Sequence, residues 1–542
     1  MTPPFRRVLV ANRGEIALRV IRACRDLGME SVAIYSDADV SAGHVRAADL
    51  AIHIGPSSPG ESYLRIDRVV DAARSVGADA VHPGYGFLAE RAEFARAVED
   101  AGIRFIGPRW QAIAALGDKL AARRGAVQAG VAVVPGTFEP APVDRPDQLE
   151  SILAVAREIG FPLMVKAAAG GGGRGMRRVA TPEELPAALV AGSREAAATF
   201  GDGSVYLERE VRPARHVEVQ LLGDNQGRIV ALGERDCSIQ RRHQKLVEEA
   251  PAPGLTRDQR AGVHEMAVRA ATAAQLTNAA TAEFLLDPSG AFWFLEVNAR
   301  LQVEHGVTEL VTGLDIVREQ FFIAAGEPLS PAVLAAAALA ADPTRHAIEV
   351  RLSAEDPANG FAPAPGRLQR WRMPAGPGVR VDTALEAGER IPPDYDPLIA
   401  KLMVDAADRP TAIARLRRAL DEVEISGIQT TLPFDRALVR HPRFAAGDVS
   451  TDWVAQEWDG QVQRARAVEI AAVVAALASG FAGTPAGSAA AGTPAGPGAG
   501  AAPGGGSPPS AGDPPGSSNG RGPRARGWAS VAREEAVDRW PS

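Results

Sequence analysis

Phe294-Leu-Glu-Val-Asn-Ala-Arg-Leu-Gln-Val-Glu-His305, just past the middle of the chain, alternates strictly between polar and apolar residues. Glu296, Asn298, Arg300, Gln302 and Glu304 occupy its even positions, and Leu295, Val297, Ala299, Leu301 and Val303 its odd ones. A period of two predicts a strand over at least the first half, with one polar row above an apolar underside. The runs Thr281 to Leu286 and Ala291 to Asn298 flank Asp287-Pro-Ser-Gly290, a hairpin signal. Pairing Leu286 with Ala291 sets Glu283 opposite Phe294, with Glu296 diagonal to Glu283 at roughly 7–8 Å between backbones. Two carboxylates and an amide around one cavity suit Mg²⁺ or Mn²⁺, which prefer hard oxygen ligands. The same alternation also fits the solvated outer face of an antiparallel sheet.

Outward from this stretch, 542 residues leave room for several domains and a large core. A formal net charge of -7 gives no global nucleic-acid signature. Cys24 and Cys237, the two cysteines, lie far apart without metal-ligand spacing, which argues against a disulfide framework or a zinc cluster and fits a reducing cytoplasm. The start lacks a signal-peptide core and no apolar run reaches the length of a membrane span, so a cytoplasmic location is expected.

Over the first hundred residues, short runs such as Val8 to Ala11, Ser31 to Tyr35 and Ala80 to His82 read as strands alternating with helical patterns. That order predicts a doubly wound, Rossmann-like parallel sheet. The turn Asn12-Arg-Gly14 resembles a Rossmann first loop but lacks the G-x-G-x-x-G fingerprint, which argues against dinucleotide binding. His82-Pro-Gly-Tyr-Gly-Phe-Leu88 follows a strand and would lie at the carboxyl edge of the sheet, where ligands bind, although Gly84 and Gly86 also suit a plain turn. Residues 137–205 read as a small module. In it Lys166 ends a strand and Ala169-Gly-Gly-Gly-Gly-Arg-Gly175 follows, a flexible flap whose N–H groups can approach phosphates, or an ordinary linker. Between Glu234 and Lys245, Arg235, Arg241, Arg242, His243 and Lys245 form either an anion pocket or a solvated charged face. His346 to Ser353 is another alternating strand, with Arg351 on the face of Glu349.

Together, Val10 to Ala17, His82 to Leu88, Gly170 to Met176, Glu234 to Lys245, Glu248 to Pro253 and the opening stretch resemble the biotin carboxylase family of ATP-grasp enzymes across residues 5–458. Each marker is weak alone; in this order they are specific. The resemblance implies an N-terminal Rossmann-like domain (1–117), an ATP-grasp core with a mobile lid (118–340) and a C-terminal mixed β domain (341–460). An Ala/Gly/Pro-rich disordered linker (461–527) and a short piece with Trp528 and Trp540 are expected beyond it.

By the same resemblance, Lys119 and Lys166 would hold ATP phosphates, with Gly172 and Gly173 closing over them. Glu208, Arg209, Glu210 and Val211 would frame the adenine, and His216, Gln240 and His243 would contact the nucleotide. Glu283, Glu296 and Asn298 would bind two Mg²⁺ or Mn²⁺ ions. Lys245, Arg300, Gln302 and the Val303 backbone would hold bicarbonate, Glu304 would be the general base, and Tyr85 and Arg351 would meet biotin. The implied activity is the carboxylation of carrier-bound biotin by ATP and bicarbonate through carboxyphosphate, the first half-reaction of an acyl-CoA carboxylase. Another ATP-grasp ligase, or a catalytically weak scaffold, would share the fold. Against the former stand Arg241 to Lys245 and Arg300 to His305, which look like bicarbonate and biotin-site strings.

Four residues depart from the family pattern: Ala169 for Gly, Ala282 for Phe, Gly306 for Pro and Thr431 for Asn. None removes a catalytic group, but Ala282 and Gly306 flank the metal strand and are expected to loosen it. No methionine precedes a lysine, so the Met-Lys biotin-attachment signal is absent; a separate carrier protein and carboxyltransferase subunit are expected. Relatives are often dimers through the helix that carries Arg19, and a homodimer is the expectation.

Overall fold

The computed structural model describes residues 3–143, 148–168 and 176–482. Five parallel strands, Leu50–Gly55, Glu30–Ser36, Arg7–Val10, Ala80–His82 and Arg104–Phe105, form the N-terminal sheet in that spatial order. Helices such as Gly14–Asp26 and Ile66–Ser75 pack against it through alanine and branched aliphatic residues. This is the doubly wound sheet that the strand–helix alternation demands. The Pro83–Phe87 loop leaves its carboxyl edge. There Asn12 Nδ2 donates to the carbonyls of Pro83 and Tyr85 at 2.7 Å each. Gly84, at φ +62°, brings the backbone so near Asn12 that a Cβ would lie 2.9 Å from Nδ2.

The rest of the molecule is organised by one antiparallel sheet of eight strands. Its spatial order is Phe292–Asn298, Asn278–Leu286, Arg215–Gly223, Ile229–Arg241, Gln244–Ala250, His346–Ser353, Leu398–Ala406 and Val379–Asp382. The long strands of the C-terminal β region therefore continue the ATP-grasp sheet, and two-stranded ribbons complete that region. A separate three-stranded sheet, Arg177–Val179, Leu163–Ala167 and Val205–Arg209, packs with the helices Leu149–Ile159 and Leu185–Phe200 around its own core, Leu163, Val165, Leu189 and Leu207 among it. The glycine flap at 169–175, with Gly172 and Gly173, lies outside the described residues.

The expected hairpin forms in a different register. Leu286 pairs with Phe292, not Ala291, and an irregularity between Glu283 and Phe284 absorbs one residue. Asp287 sets the longer loop by accepting from the N–H groups of Ser289 and Ala291 at 2.9 and 3.1 Å. The bulge brings Glu283 directly opposite Glu296, a closer pairing than the diagonal expected from a regular ladder. The strand ends at Asn298; residues 299–304 are irregular and a helix, His305–Thr312, follows.

The chain divides into two compact units, residues 1–461 and 462–542. A helix occupies Gly460–Ala482, where Val468 to Leu477 has a helical apolar pattern in an alanine-rich run; this corrects the start of the linker placed at residue 461. The remainder of that linker and the piece with Trp528 and Trp540 lie outside the described residues.

Candidate functional site

Direct cross-strand pairing lines up Glu296, Glu283, Glu218 and Arg235 across four neighbouring strands. The row is not a solvated face: Glu283, Glu218 and Arg235 are buried, and Asn298, Gln302 and Glu304 with them. A row of buried acids needs cations, and the structure supplies one at its centre. Lys245 Nζ donates to Glu218, to Glu283 at 2.9 Å and to Glu304 at 2.8 Å. Burial alone would lower its pKa, but Glu218, Glu283 and Glu304 outweigh that and hold it charged.

Glu283 also accepts from His216 Nε2 at 2.9 Å, Asn298 Nδ2 at 2.8 Å and Gln302 Nε2 at 3.2 Å. Burial would push its carboxyl up; Lys245 and His216 pull it below the usual carboxylate range. Glu296 engages a different cation, Lys119, at 2.8 Å. Lys119 opens the helix Lys119–Gln128, whose N-cap Asp118 accepts from the Ala121 N–H at 3.0 Å.

Glu304 is fully buried between Lys245 and Arg351, the latter at 2.9 Å. Desolvation would raise its pKa, but Lys245, Arg351 and Arg235 reverse the shift and keep it ionised well below neutrality. Arg351 in turn donates to Glu248 Oε1 at 2.7 Å, so two carboxylates share one guanidinium. Arg300 turns the other way, to Glu90 at 2.9 Å, Asn298 Oδ1 at 3.3 Å and the Gln302 side chain. The Val303 carbonyl accepts from Lys401 at 2.9 Å. Tyr85 donates to Glu15.

Lys166 and the fully buried Arg123 both pair with Glu208, so that carboxylate points inward. Of the residues expected beside it at the adenine, Arg209 lies over the Trp293 ring at 5.5 Å and Glu210 pairs with Arg178 at 2.8 Å. Val211 follows on the connection out of the strand, half-buried. Gln240 lies 3.4 Å from His216 Nδ1. His243 sits in the Arg241–Gln244 hairpin turn at φ +66°, where burial, Lys166 and His216 lower its pKa and favour the neutral ring.

Arg235 and Lys245 of the charge run thus meet the acids of the site, whereas Arg241 lies over the Phe361 ring at 5.0 Å and Arg242 is exposed. Sequence reasoning missed Arg123, Glu218, Glu248, Glu90, Glu15 and Lys401. Of these, Glu218 was within reach, because His216, Glu218 and Gln220 share one face of an alternating strand. The others act across elements distant in sequence.

Glu283, Glu296 and Asn298 offer the hard oxygen donors a divalent ion requires, on facing positions of one ribbon. That donor set is what fits Mg²⁺ or Mn²⁺; the two carboxylates are paired here with Lys119 and Lys245. Ligating atoms of His216, Glu218 and Glu283, and of Glu218, Cys237 and Glu304, also lie within 4.8 Å of one another. Lys245 neutralises both of these groups through Glu218.

The departures Ala282 and Gly306 are packed tightly. Ala282 is fully buried, paired with Val219 and Val297. A Cβ on Gly306 would collide with Met403 Sδ, so a side chain from the neighbouring sheet fills that space. Thr431, also fully buried, donates to the Arg351 carbonyl at 2.9 Å and accepts from the Ser353 N–H at 3.1 Å. Ala169 lies outside the described residues.

Three family descriptions match the chain: biotin carboxylase, N-terminal domain, over residues 4–113; carbamoyl-phosphate synthase L chain, ATP binding domain, over 118–332; and biotin carboxylase C-terminal domain, over 349–456. The chain is 48% identical over 453 residues to a biotin carboxylase of Nostoc sp., covering 83% of this chain and 98% of that protein. It is also 48% identical to a biotin-dependent acyl-coenzyme A carboxylase alpha3 subunit of Mycobacterium leprae, over 84% of this chain and 75% of the relative. Among solved structures it is similar to the biotin carboxylase domain dimer of Hydrogenobacter thermophilus 2-oxoglutarate carboxylase, in complex with MgADP, ADP and bicarbonate. There the identity is 45%, the TM-score 0.79, and the coverage 83% of this chain and 97% of that one.

Proposed function

The chain belongs to the biotin carboxylase family, and from that premise we propose that Glu304 is its general base and Arg351 the group that meets biotin. The protein is an ATP-dependent ligase that carboxylates biotin with bicarbonate. One observation carries the assignment of roles: a fully buried carboxylate, Glu304, held ionised by Lys245 and Arg351.

Bicarbonate is a weak nucleophile. Glu304 takes its proton as its oxygen attacks the γ-phosphorus of ATP; the bond to the bridging oxygen breaks and ADP leaves. Lys119 and Lys166 orient and neutralise the phosphates. Glu283, Glu296 and Asn298 would hold the divalent ions, which neutralise phosphate charge when bound. Lys245, Arg300, Gln302 and the Val303 backbone hold bicarbonate, and His216, Gln240, His243 and residues 208–211 hold the nucleotide. The mixed anhydride, carboxyphosphate, breaks down to CO₂ and phosphate. Phosphate removes the ureido proton of biotin near Tyr85, Arg351 and Arg300 stabilise the enolate oxygen as charge develops, and the nitrogen attacks CO₂.

We include a separate biotin carrier, a carboxyltransferase subunit and a homodimer in the proposal; the relatives described as a carboxylase subunit and as a domain dimer support it. In this chain Arg19 is buried, pairing with Glu309 at 2.8 Å and Asp315 at 2.6 Å. A biotinylated chain co-purifying with this one would identify the carrier.

Purified protein with Mg²⁺ should release ADP in a bicarbonate-dependent manner, stimulated by free biotin. Glu304→Gln and Arg351→Ala should each lower the biotin-dependent rate by about 100-fold or more, with nucleotide affinity largely kept. Absence of bicarbonate-dependent ADP release from the parent protein sinks the reading.

A further inference from the structure

Lys401 is fully buried, on the strand Leu398–Ala406, and no part of the reaction described above uses it. Burying an ammonium is costly, so its partners are informative. Its Nζ donates to the Val303 carbonyl at 2.9 Å, approaches Glu15 Oε1 at 3.3 Å and Asp382 Oδ2 at 3.8 Å, and lies 5.8 Å from the centre of the Tyr85 ring. Glu15 also accepts from the Tyr85 hydroxyl. One buried cation thus joins the loop that carries Tyr85 to the turn that carries Val303 and Glu304.

The register makes the arrangement specific. Lys401 is the direct cross-strand partner of Arg351, and Met403 that of Glu349. Arg351 grips the Glu304 carboxylate, Lys401 grips the carbonyl one residue earlier, and Met403 packs on Gly306. Two adjacent strands therefore hold the end of the irregular segment and the first turn of the helix after it, a stretch with no ladder of its own past Asn298.

We propose that Lys401 is a positioning residue for the carboxylation reaction, fixing the Val303–Glu304 turn against the Tyr85 loop so that bicarbonate meets the base in register. The proposal rests on the roles assigned above to Val303, Glu304 and Tyr85. Lys401 touches no reacting atom. It acts through the turn, so its loss should be felt in bicarbonate use and not in nucleotide binding.

The test uses the full chain with Lys401→Met, which keeps the stem and removes the donor, and Lys401→Gln, whose amide can still donate to the Val303 carbonyl. Lys401→Met should raise the KM for bicarbonate at least about ten-fold, the scale of one lost charge-assisted hydrogen bond, with the KM for ATP within about twofold. Lys401→Gln should recover a clear part of that loss. Equal rises in both KM values, no change in the bicarbonate KM, or a glutamine variant no better than the methionine one would overturn it. Failure of both variants to fold, seen by circular dichroism, would assign Lys401 to the fold and overturn it too. A parent protein without bicarbonate-dependent ADP release would instead overturn the functional reading beneath it.

Discussion

Gly306 departs from the family pattern immediately after His305, and the structure gives it a partner. Met403, fully buried, fills the space above it, and Glu349 Oε2 would lie 3.6 Å from a Cβ there. The segment is therefore packed and not loosened. Gly306→Ala should destabilise the protein by about 1–3 kcal/mol through overpacking, measured by denaturant unfolding. An unchanged midpoint would mean that Met403 swings aside freely. Glu304, two residues earlier, shows how far a residue's chemistry is set by others. Lys245, Arg351 and Arg235 come from three separate strands, and together they reverse the shift that burial alone would impose.

At the scale of elements, alternation over residues 294–305 correctly marks a polar row but overstates the strand. The ladder stops at Asn298, and the alternation of polar and apolar residues runs on through a turn to the start of a helix. Periodicity reports which side chains share a face; it carries no information on backbone hydrogen bonds, which depend on a neighbouring strand. The bulge beside Glu283 is hidden for the same reason, since a bulge is a relation between two strands. The strand His346–Ser353 is secured at its end by Thr431, which bonds the Arg351 carbonyl and the Ser353 N–H. Thr431→Val keeps the volume and leaves both backbone groups unpaired, so it should cost about 1–3 kcal/mol in unfolding and lower biotin-dependent turnover more than nucleotide affinity. Thermal unfolding with matched kinetics would read both; a variant equal to the parent in both refutes this role.

At the scale of the whole molecule, ion pairs between distant elements tie stability to pH. Glu249, on the strand Gln244–Ala250, meets His346 at 2.8 Å and Arg409 at 2.7 Å, from a neighbouring strand and the helix Arg409–Glu422. Burial would raise its pKa, but His346 and Arg409 take it down from 4.5 to about 2. A lowered carboxylate pKa stabilises the fold above the ordinary value, and the contribution is lost as pH falls from about 4.5 toward 2. Glu249→Gln should therefore lose on the order of 3 kcal/mol at pH 7, with the gap to the parent closing in that acidic window. A gap that stays constant with pH counts against the ion pairs as its source.

The parallel N-terminal sheet, the hairpin and the polar row from Glu296 to Glu304 were legible in the sequence, because strand and helix periods and turn chemistry are local properties of the chain. So was the family, since its markers occur in order along residues 5–458. Tertiary structure alone decided that the C-terminal strands extend the ATP-grasp sheet. It also decided that Glu296 stands opposite Glu283, and that Arg123, Glu248, Glu15 and Lys401 join the site. The physical reason is one throughout: a buried charge is stabilised by whichever opposite charge the fold brings within a few ångströms, and sequence distance does not enter that energy.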